Sequence, residues 1–222
     1  MGYIVVIEGI DGSGKNTQTT LLLENLKREG FSVNKLSFPA YSETFFGREV
    51  GKYLDGVYGG IDEIPAEMAA MLYAGDRFEK KEDILGFIEG DGVLVIDRYV
   101  PSNIAHQCAK VVAEKRSGLR NWIEKLEYDV YGLPKPDCVV FLDMPADVSQ
   151  ELVMKKETRS YTDKKKDLHE DDKDHLTKSH DCFRELVELN GWDNVKCTNL
   201  DGLRSIDDIQ NDIFNTVLLK IK

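Results

Sequence analysis

Gly9 and Gly14 are separated by Ile10-Asp11-Gly12-Ser13, and Lys15 follows directly. Glycines at that spacing let the backbone wrap close around an anion with its N–H groups turned inward, and the lysine adds a mobile positive charge. The pattern fits a phosphate cradle, with Lys15 placed to follow the β- and γ-phosphates of a nucleotide during transfer. In such loops a Ser or Thr after the lysine ligates magnesium, but here Asn16 follows, and Thr17 lies about 100° further round a helix. A second charged constellation, Asp97-Arg98, ends the apolar run Val93-Leu94-Val95-Ile96. A guanidinium there can grip a second phosphate through two parallel hydrogen bonds. Tyr73 and Arg77 are four residues apart, which on a helix puts both on one face. Asn103 offers both a hydrogen-bond donor and an acceptor.

The elements that must hold these residues alternate in a βα rhythm. Strands are expected at Tyr3–Ile7, Phe31–Phe38, Val93–Ile96, Cys138–Leu142 and, more weakly, Val195–Leu200. The first helix carries Leu21, Leu22, Leu23 and Leu26 and stops before Gly30. Ile64–Lys81 reads as a helix with Pro65 in its first turn and Met68, Met71, Leu72 and Phe78 as its apolar side. Helices are also expected over 103–115 and 119–131. The last helix starts at Ser205 as N-cap, with Asp207 and Asp208 in its first turn and Ile206, Ile209, Ile213, Val217 and Ile221 as its stripe. Five such strands predict an α/β chain with a five-stranded parallel sheet and helices on both faces, binding ligands at the strands' carboxyl ends. One segment breaks the rhythm: six basic residues from Lys155 to Lys166 precede five acidic ones from Asp167 to Asp174.

The chain of 222 residues suits one compact domain with room for a lid. A net charge of −11 repels nucleic acid and anionic membranes, so positive charge must be concentrated locally if the ligand is a small anion. Four cysteines, at 108, 138, 182 and 197, show neither a disulfide framework nor zinc spacing, which suits a reducing cytoplasmic setting. No uncharged stretch approaches the roughly 18 residues of a membrane span.

Four blocks together resemble the thymidylate kinase family: Gly9-Ile-Asp-Gly-Ser-Gly-Lys-Asn-Thr-Gln18, Phe38-Pro39, Tyr73-Ala-Gly-Asp-Arg77, and Asp97-Arg98-Tyr99-Val-Pro-Ser102-Asn103-Ile-Ala-His106-Gln107. The resemblance implies direct phosphorylation of dTMP to dTDP by ATP with Mg2+, a lid, and a homodimer with helices 65–81 and 103–115 as dimer elements. It implies that residues 9–17 bind ATP. It places Asp11, Phe38, Pro39, Tyr73, Arg77, Arg98, Asn103, His106 and Gln107 at dTMP, with Tyr73 stacking on thymine and Arg77 at its edge. His106 stands where many relatives carry Tyr. Asp11 would lie near the acceptor sugar and phosphates and, with Asp97, near the metal. Because position 12 of the loop is Gly and not Arg, the resemblance makes 154–172 the lid and Arg159 its expected cation, with Lys155, Lys156 and Lys164 as competitors. Two other readings remain: a kinase of another nucleotide or nucleoside, and a switch in which nucleotide binding changes shape for a partner. The Asp97-Arg98 block argues against the switch, which needs no acceptor site.

Overall fold

A computed structural model describes residues 2–61, 63–154 and 173–222. Its centre is a five-stranded, all-parallel sheet in the order β2-β3-β1-β4-β5, formed by β1 (Tyr3–Glu8), β2 (Val33–Ser37), β3 (Val93–Asp97), β4 (Cys138–Asp143) and β5 (Asp193–Lys196). The inner strands are apolar throughout because both of their faces are covered, and the period of two decides which residue serves which side. Ile4, Val6, Leu94, Ile96, Val139 and Phe141 join one core. Val5, Ile7, Val93, Val95, Val140 and Leu142 join the other.

The second core is closed by Leu22 and Leu26 of α1 (Lys15–Arg28) and by Ile209, Ile213 and Val217 of the final helix. That helix spans Ile206–Ile221, and the Ser205 side chain caps it by accepting from the Asp208 amide at 3.1 Å. Its expected stripe is buried at its middle three positions, whereas Ile206 is exposed. The first core is closed by α4 (Lys81–Ile88), α5 (Val100–Cys108), α6 (Ala113–Glu124) and the long helix Lys173–Asn190. With α2 (Phe45–Leu54), α3 (Ala66–Glu79) and α7 (Ala146–Met154) preceding it, the long helix is α8 and the C-terminal one α9.

Several boundaries and faces differ from the sequence expectation. The helix expected over Ile64–Lys81 is α3, with Pro65 as its N-cap; it breaks at Lys80, and α4 follows. It buries the small residues Ala66, Ala69, Ala70, Ala74 and Gly75 together with Asp76 and Arg77; of the expected apolar side Leu72 is partly buried, while Met68, Met71 and Phe78 are exposed. The reason is close approach: a Cβ on Gly75 would stand 2.6 Å from the Phe46 ring, so small residues let α3 lie tightly on its neighbours. The helices expected at 103–115 and 119–131 are α5, ending at Cys108, and α6, which starts at Ala113 and runs into a π-helical turn at Lys125–Val130. The last strand begins earlier than Val195, on the polar Asp193-Asn194. Thr198–Asn199 instead pairs with Gly202–Leu203 in a separate hairpin of β6 and β7. Apart from Met154, the last residue of α7, the expected lid falls outside the described residues, and with it Lys155, Lys156, Arg159 and Lys164.

Candidate active site

The site forms where β1, β3 and β4 end. Between β1 and α1 the chain turns through Gly9, Gly12 and Gly14, the last two in the left-handed region at φ 82° and 88°. Gly12 has no room for a side chain: its Cβ would meet the Ser149 carbonyl oxygen at 2.4 Å and Val153 Cγ2 at 2.8 Å. The Ser149 hydroxyl donates to the Asp11 carbonyl, so α7 braces the loop from behind. A cation over the transferring phosphate therefore cannot come from position 12.

Lys15 is buried at the start of α1, and its Nζ donates to the Ile10 carbonyl at 2.7 Å. Burial, with the nearby Arg98 guanidinium, brings its pKa down to about 8 against the pull of Asp11, Asp97 and Glu8. A bound triphosphate favours the ammonium, so binding above pH 8 must take up a proton. Below pH 8 that proton is already in place. Apparent ATP affinity should therefore be flat in this group below pH 8 and fall about tenfold per pH unit just above it. Titration calorimetry between pH 7.5 and 9.5, in buffers of different ionisation enthalpy, reads both the affinity and the proton; a pH-independent affinity would contradict the assignment.

Arg98 has φ 65°, unusual for a side-chain-bearing residue and held here by Glu8. The Glu8 carboxylate, buried at the end of β1, accepts from the Tyr99 amide at 2.9 Å, the Ser102 amide at 3.1 Å and the Ser102 hydroxyl at 2.5 Å. Burial raises the Glu8 pKa, opposed by the Ser102 hydroxyl, Arg98 and the Tyr99 amide. The guanidinium thus projects back over the loop, where it pairs with Asp11 and donates to the Gly9 carbonyl at 3.4 Å and the Ser102 hydroxyl at 3.2 Å. Burial would lower its pKa, but Asp11, Asp97 and Glu8 outweigh burial and raise it.

Two cavities meet at this pair. One, about 970 Å³ including open solvent, is lined by Gly12, Gly14, Lys15, Asn16 and Asp97 among others. The second, about 500 Å³ on the same measure, collects all nine residues expected at the second substrate, together with Tyr41, Leu54 and Ser102. Asp11, Phe38, Pro39, Tyr41 and Arg98 line both. Asp97 is buried at the floor of the first, whereas Asn16 is exposed and accepts a hydrogen bond from Lys35 Nζ at 2.8 Å. Thr17 is exposed as well.

Three buried carboxylates that position this cavity were not singled out from the sequence. Glu8 is the first. Asp76 accepts from the Ala40 amide at 2.9 Å and from the Thr44 hydroxyl, holding the segment after the cis Phe38–Pro39 bond against α3. Glu127, in the π-helical turn, takes Arg77 Nε at 2.5 Å and Nη2 at 2.6 Å, and Asn103 Nδ2 at 2.8 Å. Burial would lower the Arg77 pKa, and Glu127 raises it. Arg77 in turn lies 6.0 Å over the Phe38 ring, and Tyr73 meets Tyr53 edge-on at 6.2 Å. A carboxylate that closes an apolar strand, as Glu8 does, is a readable signal; the partners of Asp76 and Glu127 lie 24 to 50 residues away and leave none.

Because an ionised carboxylate only accepts, Glu127 fixes which way the Asn103 amide faces. Nδ2 is spent on Glu127 and on the Ala70 carbonyl at 3.1 Å, and Oδ1 is left buried with no partner among the described residues. Both amide atoms of Gln107 are in the same condition. Buried polar atoms of this kind are costly unless a ligand satisfies them.

The thymidylate kinase family model matches residues 7–213. The probable thymidylate kinase of Pyrococcus horikoshii is 32% identical over 216 residues, covering 96% of this chain and 94% of that protein. The thymidylate kinase of Mycobacterium tuberculosis is 33% identical over 148 residues, 67% of this chain and 69% of its own. That of Plasmodium falciparum is 29% identical over 228 residues, covering 100% and 91%. The solved thymidylate kinase of Candida albicans superposes with a TM-score of 0.73 at 20% identity, over 98% of this chain and 92% of that one, a likeness of fold. With a phosphate loop opening into a second cavity and a family match that runs almost end to end, this chain belongs to the thymidylate kinase family, a family of phosphotransferases.

Proposed function

We propose that this chain transfers the γ-phosphoryl group of ATP directly to the 5′-phosphate of dTMP, giving dTDP. The observation that carries the reading is the pair of cavities joined at Asp11 and Arg98. A donor phosphate in the loop and an acceptor phosphate at Arg98 would lie on either side of one seam. That arrangement supports in-line transfer with no covalent intermediate, the protein supplying position and charge.

Residues 9–17 would wrap the ATP phosphates, with Lys15 as the charge that follows transfer. Arg98 would hold the acceptor phosphate, its orientation kept by Asp11 and Glu8. In the base pocket Phe38, Pro39 and Tyr73 supply apolar walls. The bare Asn103 Oδ1 needs a donor, which thymine provides at N3–H; cytosine presents an acceptor at N3 instead. Gln107, Arg77 and His106 complete that wall. Arg159 would be the lid cation, supported by the closed space at Gly12 rather than by geometry of its own.

Magnesium is typically held by one or two carboxylates together with substrate phosphates. Asp97, buried beside the loop, fits that pattern with Asp11 near it, and no group of three or more candidate ligands occurs among the described residues. When bound, the ion would neutralise phosphate charge. Asn16, tied to Lys35, does not offer the usual hydroxyl.

The homodimer reading is supported by the apolar side chains that α3 leaves exposed, Met68, Met71 and Phe78, whereas α5 is buried within its own protomer. None of the described helices is long and apolar enough to cross a membrane, and four buried free thiols support a reducing, cytoplasmic setting.

A nucleoside kinase and a nucleotide kinase differ in whether the acceptor phosphate is gripped. Calorimetry should show dTMP binding at least about a hundredfold tighter than thymidine, as expected for charge-assisted pairs to phosphate. Arg98→Ala should remove most of that gap. Equal affinity of the native protein for both ligands would point to a nucleoside acceptor.

A further inference from the structure

The imidazole of His106 stands between Arg98 and α8. Its Nε2 lies 3.2 Å from Arg98 Nη1, and its Nδ1 lies 3.4 Å from the Ser179 hydroxyl. Ser179 is in turn 3.3 Å from Nε2 of His175, whose ring stacks on His106 with centroids 5.7 Å apart. All three side chains are buried, and Phe183 packs edge-on against His106.

The hydrogen on His106 can be placed by elimination. Arginine only donates, so His106 Nε2 must be the bare nitrogen and Nδ1 must carry the hydrogen. Nδ1–H then donates to the Ser179 hydroxyl, which also lies within hydrogen-bond distance of His175 Nε2. The result is a connected polar series from the Arg98 guanidinium to the first turns of α8. It holds Nη1 from one side while Asp11 holds Nη2 from the other. Buried polar series of this kind fix geometry when every member is satisfied.

We propose that Ser179 and His175 are positioning residues for the acceptor phosphate. They keep His106 in its Nδ1–H tautomer, and its bare Nε2 then aims the Arg98 guanidinium. The proposal rests on the reading of Arg98 as the ligand of the acceptor phosphate.

The test has two arms. Long-range 1H–15N spectra of the labelled native protein, with the His106 signals identified by their loss in His106→Gln, should show Nδ1 protonated and Nε2 bare. A protonated Nε2 would overturn the proposal, whether or not any variant folds. In steady-state kinetics Ser179→Ala should raise the KM for dTMP about three- to tenfold, the worth of one hydrogen bond. The KM for ATP should stay unchanged and kcat should stay within about twofold. Ser179→Thr, which keeps the hydroxyl, should restore the KM for dTMP, and His175→Gln should raise it. Arg98→Ala separates the two readings. If it leaves dTMP binding intact, the acceptor site itself is misassigned; if it weakens dTMP while Ser179→Ala does not, the relay alone fails.

Discussion

Lys15→Ala should lower kcat by roughly a hundred- to a thousandfold, about 3–4 kcal/mol of transition-state stabilisation. The loss is large because the charge on the transferring group moves while the loop amides stay fixed, and Lys15 is the one flexible cation that the phosphate loop contributes. Stability should respond differently. Lys15 is buried and its pKa is depressed by that burial, so removing it relieves a desolvation cost as it removes packing. The melting temperature should move by no more than about 4 °C, the equivalent of roughly 1 kcal/mol for a chain this long. Stopped-assay turnover and thermal melting on the same preparation separate the two effects. Near-native turnover in Lys15→Ala would remove the phosphate loop from the mechanism.

Glu127→Ala should be the most destabilising single change in the base pocket. It strands the Arg77 guanidinium, 2% exposed, without its counter-charge. Breaking a buried pair from one side costs about 3–5 kcal/mol. At about 2–4 °C per kcal/mol, that corresponds to a fall of roughly 6–20 °C in melting temperature. The variant Arg77→Met with Glu127→Leu should recover most of that loss, because two apolar groups of similar volume remove both charges together. It should not recover dTMP binding or the preference for dTMP over dCMP, since the Asn103 amide is then free to turn. Melting curves with dTMP and dCMP titrations read both. A loss under 1 kcal/mol in Glu127→Ala would show that the pair is not the pocket's anchor.

These two residues mark how far the sequence could be read. Lys15 was legible because everything that defines it is local: a strand, a glycine turn, a lysine and a helix within 30 residues. The same holds for β1, β3 and β4, whose apolar runs are continuous because both faces are covered. Arg98 and the Tyr73–Arg77 pair were legible from their blocks, and the structure gathers them around one cavity. Glu127 was not, because its importance comes from Arg77, 50 residues away, and from a π-helical turn that carries no composition signal. Asp76 and Ser179 were hidden for the same reason. The α3 face is only partly readable: Leu72 of the expected stripe packs on a core, but contact as close as that at Gly75 and Phe46 requires alanine and glycine inside and leaves Met68, Met71 and Phe78 outside. The edge strand β5 was placed late because an edge tolerates the polar Asp193 and Asn194.

The most direct test is coupled ADP release with ATP, magnesium and a panel of acceptors: dTMP, dUMP, thymidine, dCMP, AMP and GMP. Two cavities meeting at Asp11 and Arg98, with an acceptor-only oxygen at Asn103, predict turnover that requires an acceptor, is fastest with dTMP and is negligible with thymidine and dCMP. ATP hydrolysis at the same rate with and without dTMP would contradict it.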